Sequence, residues 1–183
     1  MTDFKADIES RARTSTVRFS LVSFGTDVSD VVALDDDLPQ TIINTNKIVY
    51  SGGWTNTEQA IARCDNTLSS ASFGSLQYIL LFTDGTPTAW GDPTVITHPN
   101  CANKPDGDGK TCRTEATRAA NDAKGNGIEV ITVAVNTGSS LDVDFLFSLN
   151  STGLGFQVTS FDEAEDVTLK ILGEIDISCP PSP

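Results

Sequence analysis

The hydrophobic and polar positions of the chain follow strand-like patterns in five places. Residues 17–24 and 31–34 are rich in apolar β-formers and flank a Gly-Thr-Asp turn, which predicts a β-hairpin. Residues 78–82 are a continuous apolar run, which is typical of a strand that is buried on both faces of a sheet, and residues 128–135 are the clearest predicted strand in the chain. Residues 155–158 are predicted to form a last, short strand.

Elsewhere the apolar positions recur every three or four residues, as on one face of an amphipathic helix. The predicted helices cover residues 4–12, 57–68, 114–126, 141–149 and 161–177, and one more begins at Leu38-Pro39. Thr55 or Asn56 is expected to cap helix 57–68, because both side chains can accept hydrogen bonds from a first helical turn. Residues 86–113 have no periodicity and are predicted to be an inserted loop.

Strands that alternate with helices predict an α/β fold. We expect a three-layer, doubly wound, mostly parallel sheet with helices on both faces. Ligands of such sheets bind at the carboxyl ends of the strands. Asp84 directly follows strand 78–82, and Thr55 lies in the loop Gly-Gly-Trp-Thr-Asn-Thr at residues 52–57. A hydroxyl and a carboxylate are hard oxygen donors, which Mg²⁺ and Ca²⁺ prefer.

Composition narrows the classes of function. The 183 residues are 38% hydrophobic, which suits one domain, and the formal net charge of −13 disfavours nucleic acid and anionic membranes as partners. No apolar run reaches the roughly 20 residues that a membrane span needs. The sequence contains one histidine, His98, and no hydrolase, metalloprotease or phosphate-loop motif, so we do not expect an enzyme.

Four cysteines, Cys64, Cys101, Cys112 and Cys179, are too widely spaced for a zinc ribbon and favour an oxidised, secreted protein. A disulfide between Cys101 and Cys112 would close a small ring. For the other two cysteines two alternatives stay open: Cys64 is bonded to Cys179, or Cys179 is bonded to a cysteine upstream of Met1. Asn150 begins the one glycosylation sequon, and a signal peptide is expected upstream of Met1.

Four segments together resemble a von Willebrand factor type A domain: residues 17–24, 52–57, 79–85 and 127–135. The resemblance covers residues 1–178, and the Pro-rich residues 179–183 are predicted to be a linker or tail. It implies a metal-ion-dependent adhesion site, in which Mg²⁺, Ca²⁺ or Mn²⁺ bridges the domain to an acidic group on a partner. Thr55 resembles the threonine ligand of the family, and Asp84 resembles its second-loop aspartate.

The family's third metal loop, Asp-x-Ser-x-Ser, has no counterpart in this sequence, and neither has the strand before it. Asp27-Val28-Ser29 lies in the hairpin and is interpreted as a turn. Two donors are few for a cation that takes six or more oxygens, so the site is expected to be weak or empty. The absent strand belongs between strands 17–24 and 78–82. We therefore expect a domain that is incomplete at its N-terminus, or a strand supplied from elsewhere, because each unpaired buried backbone group costs about 1 to 3 kcal/mol.

Two functions are consistent with these features. The first is an extracellular or cell-surface adhesion module that binds a protein or glycan partner, with Trp54, Asn56 and Trp90 as contact residues beside the cation. The second is a structural building block of a larger matrix, fibre or surface appendage, in which the domain contacts other domains or copies and needs no metal.

Overall fold

The computed structural model describes residues 18–35, 53–71, 76–91, 101, 110–136, 138, 141–160, 163, 166, 167 and 171. Five strands lie in this part of the chain: β1 (Phe19–Phe24), β2 (Val28–Asp35), β3 (Gln77–Thr83), β4 (Ile128–Val135) and β5 (Gly155–Val158). Three helices lie between them: α1 (Thr57–Ser70), α2 (Lys110–Gly125) and α3 (Val143–Ser148). Glu163, Asp166, Val167 and Ile171 are also helical, within the predicted last helix.

Strands β3, β4 and β5 form a parallel sheet in that order. The central strand β4 is buried at every residue except Glu129, because helices cover both faces. On one face Ile128 and Val130 pack with residues of α1, α2 and α3, and on the other Ile131 and Val133 pack with the helical residues Val167 and Ile171. Two helical layers around a parallel sheet confirm the predicted doubly wound α/β fold.

Strands β1 and β2 form a separate antiparallel hairpin around the predicted Gly25–Asp27 turn. β2 is longer than predicted because the pairs Phe24↔Val28 and Ser23↔Ser29 continue up to the turn. Helix α1 contacts β1, β2 and β3. Within the described residues no strand ladder joins β1 to β3. The strand that is expected between them stays a prediction.

Two sequence predictions need correction here. Helix α2 begins at Lys110 rather than at Thr114, so the predicted loop 86–113 extends too far. The first turn of α2 holds Cys112, which is fully buried and disulfide-bonded to Cys101. Strand β3 is buried on one face only: Ile79 and Leu81 are buried, whereas the opposite face ends in Phe82, which is 37% exposed.

Other predictions agree with the described structure or lie outside it. Helices α1 and α3 and strands β4 and β5 occur where they are predicted, and α2 ends before Gly127, whose φ of +83° suits glycine. The predicted helices at residues 4–12 and after Leu38, the residue His98 and the tail 179–183 lie outside the described residues. In the described part of the chain no helix is long and apolar enough to cross a membrane.

Candidate functional site

The loop before α1 is attached to the turn of the hairpin. The N–H of Trp54 donates to Thr26 Oγ1 (2.9 Å), and the N–H of Asn56 donates to the carbonyl of Gly25 (2.9 Å). Gly53 has a φ of +92°, and a Cβ there would lie 2.2 Å from Thr26 Oγ1. Only glycine fits this contact, which explains the glycine directly before Trp54.

Asn56 is the N-cap of α1 and is fully buried. Its Oδ1 accepts from the N–H of Gln59 (3.2 Å), as the sequence predicts for a cap. Its Nδ2 donates to the carbonyls of Thr26 (3.3 Å) and Gly91 (2.9 Å). The prediction that Asn56 contacts a partner does not fit this burial, because the amide is used entirely inside the domain. Asn56 instead connects the hairpin turn, α1 and the segment after β3.

Asp84 lies in a turn at the carboxyl end of β3 and is exposed. Thr83 Oγ1 shapes this turn: it accepts from the N–H of Gly85 (3.2 Å) and donates to the carbonyl of Gly85 (3.0 Å). A Cβ on Gly85 would lie 2.9 Å from Thr55 Oγ1. The Thr55 hydroxyl therefore sits against the Asp84-Gly85 turn, and the two loops meet at one edge as the sequence predicts.

A third segment, residues 86–91, supports this edge, and its role is not predicted by the sequence. The N–H of Thr55 donates to Thr88 Oγ1 (2.8 Å), while the N–H groups of Thr88 and Ala89 donate to the carbonyl of Thr55 (2.9 and 3.1 Å). The only signal in the sequence is a hydroxyl residue in an otherwise irregular loop. Such a residue is also common in any turn.

The acidic groups beneath the edge are held by hydrogen bonds and charge. Glu58, in the first turn of α1, is buried; it accepts from the N–H of Gly91 (2.8 Å) and lies 3.4 Å from the guanidinium of Arg118. Asp142 caps α3, and its N–H donates to Thr86 Oγ1 (3.2 Å). The N–H of Phe145 and the Arg113 guanidinium lower the pKa of the Asp142 carboxyl.

Among the described residues, the donors at the edge are too few for a complete cation site. Thr55 offers a hydroxyl and Asp84 a carboxylate. Within the described ranges no group of three or more His, Cys, Asp or Glu side chains could hold a metal ion. Asp27 is exposed at the hairpin turn and Ser29 pairs with Ser23 in the ladder, so Asp27-Val28-Ser29 is the predicted turn and not the third metal loop. Thr55 and Asp84 fit a divalent cation as two of its ligands, and the remainder must come from elsewhere.

The two predicted aromatic contacts differ in exposure. Trp54 is 41% exposed beside Thr55, which suits a partner contact. Trp90 is only partly exposed, within the segment that supports the edge. Trp54 is thus the stronger candidate for a contact residue.

The predicted Cys101–Cys112 disulfide is present, and both residues are buried. Cys64 is a free thiol, which corrects its predicted disulfide; it packs beside the core cluster on α1, and burial raises its pKa to about 11. Cys179 lies outside the described residues. Asn150 is partly exposed, and its Nδ2 lies so close to β5 that a Cβ on Gly155 would be 2.4 Å from it. Its glycosylation stays a prediction.

A parallel α/β sheet with a hydroxyl and a carboxylate at the carboxyl ends of its strands defines a class of doubly wound domains that bind ligands at this edge. The sequence matches the von Willebrand factor type A domain family over residues 3–170. The chain belongs to this family.

Solved structures with the same fold include two pilus proteins and a mussel byssus protein. The vWF domain of the type V pili tip protein Mfa5 from Porphyromonas gingivalis is 13% identical with a TM-score of 0.73, and the match covers 100% of this chain and 89% of that one. The pilus adhesin SpaC from Lactobacillus rhamnosus GG is 18% identical with a TM-score of 0.70, at coverages of 94% and 26%. This chain thus spans about a quarter of the SpaC structure.

Proximal thread matrix protein 1 from the mussel byssus, whose structure has a zinc-occupied MIDAS motif, is 19% identical with a TM-score of 0.64, at coverages of 96% and 42%. At these identities the likeness shows the fold. No curated protein matches the chain.

Proposed function

We propose that this domain is an extracellular recognition module that binds a protein or glycan partner at the edge formed by Thr55, Asp84 and Trp54. The observation that carries the proposal is the contact between the Thr55 hydroxyl and the Asp84-Gly85 turn. This contact sets a hydroxyl against the turn that carries the exposed Asp84, and the residue before Thr55 is a 41% exposed tryptophan. The pilus adhesin and pilus tip structures of the same fold support a role in adhesion or in a surface appendage.

The cation in this proposal is Mg²⁺ or Ca²⁺, with Mn²⁺ as a further candidate. Thr55 and Asp84 would hold it, and an acidic group on the partner would complete its oxygen shell. A cation carries charge to an edge whose own carboxylate would otherwise repel an acidic partner, in a chain of net charge −13. With two protein ligands the affinity is weak, at a Kd of about 10⁻³ M or higher.

A second candidate is a structural building block of a larger appendage or matrix, with no functional metal. The incomplete donor set among the described residues favours it. In both cases the domain acts outside the cell, where a disulfide such as Cys101–Cys112 persists. In neither case is it an enzyme, a proposal that rests on the single histidine and the absence of catalytic motifs from the sequence.

Isothermal titration with MgCl₂, CaCl₂ and MnCl₂ separates the two candidates. If the edge binds a cation, the wild type gives saturable heat and Asp84→Ala removes it. The matched control is Glu129→Ala, which removes an exposed carboxylate at the amino end of β4, at the opposite edge of the sheet. Absence of heat from the wild type with all three cations would exclude the cation-mediated function and leave the structural one.

A further inference from the structure

We propose that the Cys101–Cys112 disulfide controls the candidate binding edge through Thr88, so that the Thr55 hydroxyl is held in position only in the oxidised protein. The device is a chain of contacts that runs from the disulfide to Thr88 and from Thr88 to Thr55. The proposal rests on the proposed function for its biological meaning, but its geometry is independent of any cation.

The first step is the backbone of Thr55, whose two polar groups are both held by residues 88 and 89. Its N–H donates to the Thr88 hydroxyl (2.8 Å), and its carbonyl accepts from the N–H groups of Thr88 (2.9 Å) and Ala89 (3.1 Å). Ala89 is fully buried. The direction of the Thr55 side chain is therefore set by this segment.

The second step joins that segment to the disulfide. The N–H of Cys101 donates to the carbonyl of Thr88 (3.0 Å), and the sulfur of Cys101 is bonded to Cys112 in the first turn of α2. Both cysteines are buried, with exposures of 3% and 0%. Thr88 is thus fixed between Thr55 and a covalent anchor on a helix of the core.

The third step is the contrast with the neighbours of Thr55. Trp54 and Asn56 donate their N–H groups to the hairpin turn, at Thr26 Oγ1 and the carbonyl of Gly25. These bonds do not pass through the disulfide. Loss of the disulfide should therefore loosen Thr55 selectively and leave the residues on either side in place.

The chemistry is a thiol–disulfide exchange. Two equivalents of an external thiol reduce the Cys101–Cys112 bond to two cysteine thiols and are themselves oxidised to one external disulfide. The covalent bond between Cys101 and α2 is then lost.

Amide hydrogen exchange in the absence of cations tests the proposal. In the double variant Cys101→Ser/Cys112→Ser, we expect exchange at Thr55 and Ala89 to be about tenfold faster or more, while Trp54 and Asn56 keep their protection. The amide of Val133 in β4 reports whether the core is still folded. The control Cys64→Ser removes the free thiol and should change none of these rates.

A second variant keeps the disulfide intact. Thr88→Val removes the hydroxyl that accepts from Thr55 but preserves the branched shape. We expect faster exchange at Thr55 while Ala89 stays protected, and Thr88→Ser should restore the protection of Thr55. A merely structural role of Thr88 would instead change both amides together and would not be rescued by serine.

The proposal is overturned if Thr55 keeps its wild-type protection in the double cysteine variant while β4 stays folded. It is also overturned if Thr55 keeps this protection in Thr88→Val. If the double variant does not fold, Thr88→Val tests the link between Thr88 and Thr55. Reduction of the folded wild type by dithiothreitol then tests the link between the disulfide and Thr88. Selective loosening of Thr55 without any cation heat upholds this inference and overturns the cation-mediated function. Cation heat together with unchanged amide exchange at Thr55 upholds the cation-mediated function and overturns this inference.

Discussion

The two sheets of this domain differ in how they are stabilised. Every residue of β4 except Glu129 is buried, between helical layers on both faces. In the hairpin, by contrast, each residue whose exposure is described is half-buried or exposed. The parallel sheet therefore contains the hydrophobic core, whereas the hairpin is an attachment to it.

The hairpin is attached mainly by contacts at α1 and at the loop before it. Phe24 packs against the core cluster, Asp30 pairs with Arg63 of α1, and the Gly25–Asp27 turn binds the loop of Trp54 and Asn56. The polar contacts among them are individually modest, and those of the Gly25–Asp27 turn lie at the candidate binding edge. This difference shows that the candidate binding edge lies where the buried parallel sheet meets the less buried hairpin.

The largest expected effect is a difference between the two sheets in how much the truncation of an apolar side chain lowers the free energy of unfolding. Ile131→Ala in β4 removes a side chain that is 1% exposed and should lower the free energy of unfolding by about 2 to 5 kcal/mol. Leu21→Ala in β1 is the matched variant in the half-buried hairpin and should cost about 1 kcal/mol. Urea unfolding followed by circular dichroism measures both values. Equal losses would contradict the view that the core lies in the parallel sheet.

An intermediate effect is expected at the joint between the sheets. Asn56→Ala removes a helix cap and leaves the carbonyls of Thr26 and Gly91 without their donor, so it should cost about 1 to 3 kcal/mol. Amide exchange should rise more at the hairpin than at β4.

The variant Asn56→Ser sharpens this experiment, because it keeps a cap oxygen without adding a charge but loses the Nδ2 donor. If the bridging bonds matter, Asn56→Ser also loosens the hairpin. If only the cap matters, Asn56→Ser keeps wild-type exchange rates, and the description of Asn56 as a joint is wrong.

The smallest effect concerns the ion pair between the hairpin and α1. The hydrogen bond from Arg63 lowers the pKa of Asp30 below its ordinary value of 3.8. A lowered folded pKa stabilises the protein above the unfolded value, and this contribution is lost as the pH falls through the folded value. The wild type should therefore lose some hairpin protection as the pH falls below the unfolded value of 3.8.

Asp30→Asn should weaken this part of the acid dependence while changing stability at neutral pH only slightly, since both partners are largely exposed. Amide exchange of the hairpin as a function of pH measures the effect. Asp144→Asn, an exposed aspartate of α3, is the control. An unchanged acid profile in Asp30→Asn would show that the pair does not hold the hairpin.

The elements of the parallel sheet could be predicted closely, because their patterns are local. Ile128–Val135 is a mostly apolar, β-branched run after Gly127, and its bounds agree with β4. The cap at Asn56 and the meeting of the Thr55 loop with the Asp84-Gly85 turn follow from short motifs and from the rule that parallel strands end at one edge.

What could not be predicted depends on contacts between distant residues. The burial of Asn56 follows from Thr26 and Gly91, and the role of Thr88 follows from Thr55; none of these partners is a sequence neighbour. The early start of α2 depends on Cys112, whose disulfide holds a first turn that has no apolar periodicity. Hydrophobic periodicity carries no information about such contacts.

Helix α1 touches β1, β2 and β3, and its N-cap residue adjoins Thr55. The hairpin and the candidate binding edge therefore share one helix. If a molecule that shifts the hairpin against α1 changes the affinity of the edge for a ligand, that ligand changes the affinity for the molecule by the same factor. In an assembly of repeated domains, such reciprocity would let ligand binding at one domain change the affinity of the next.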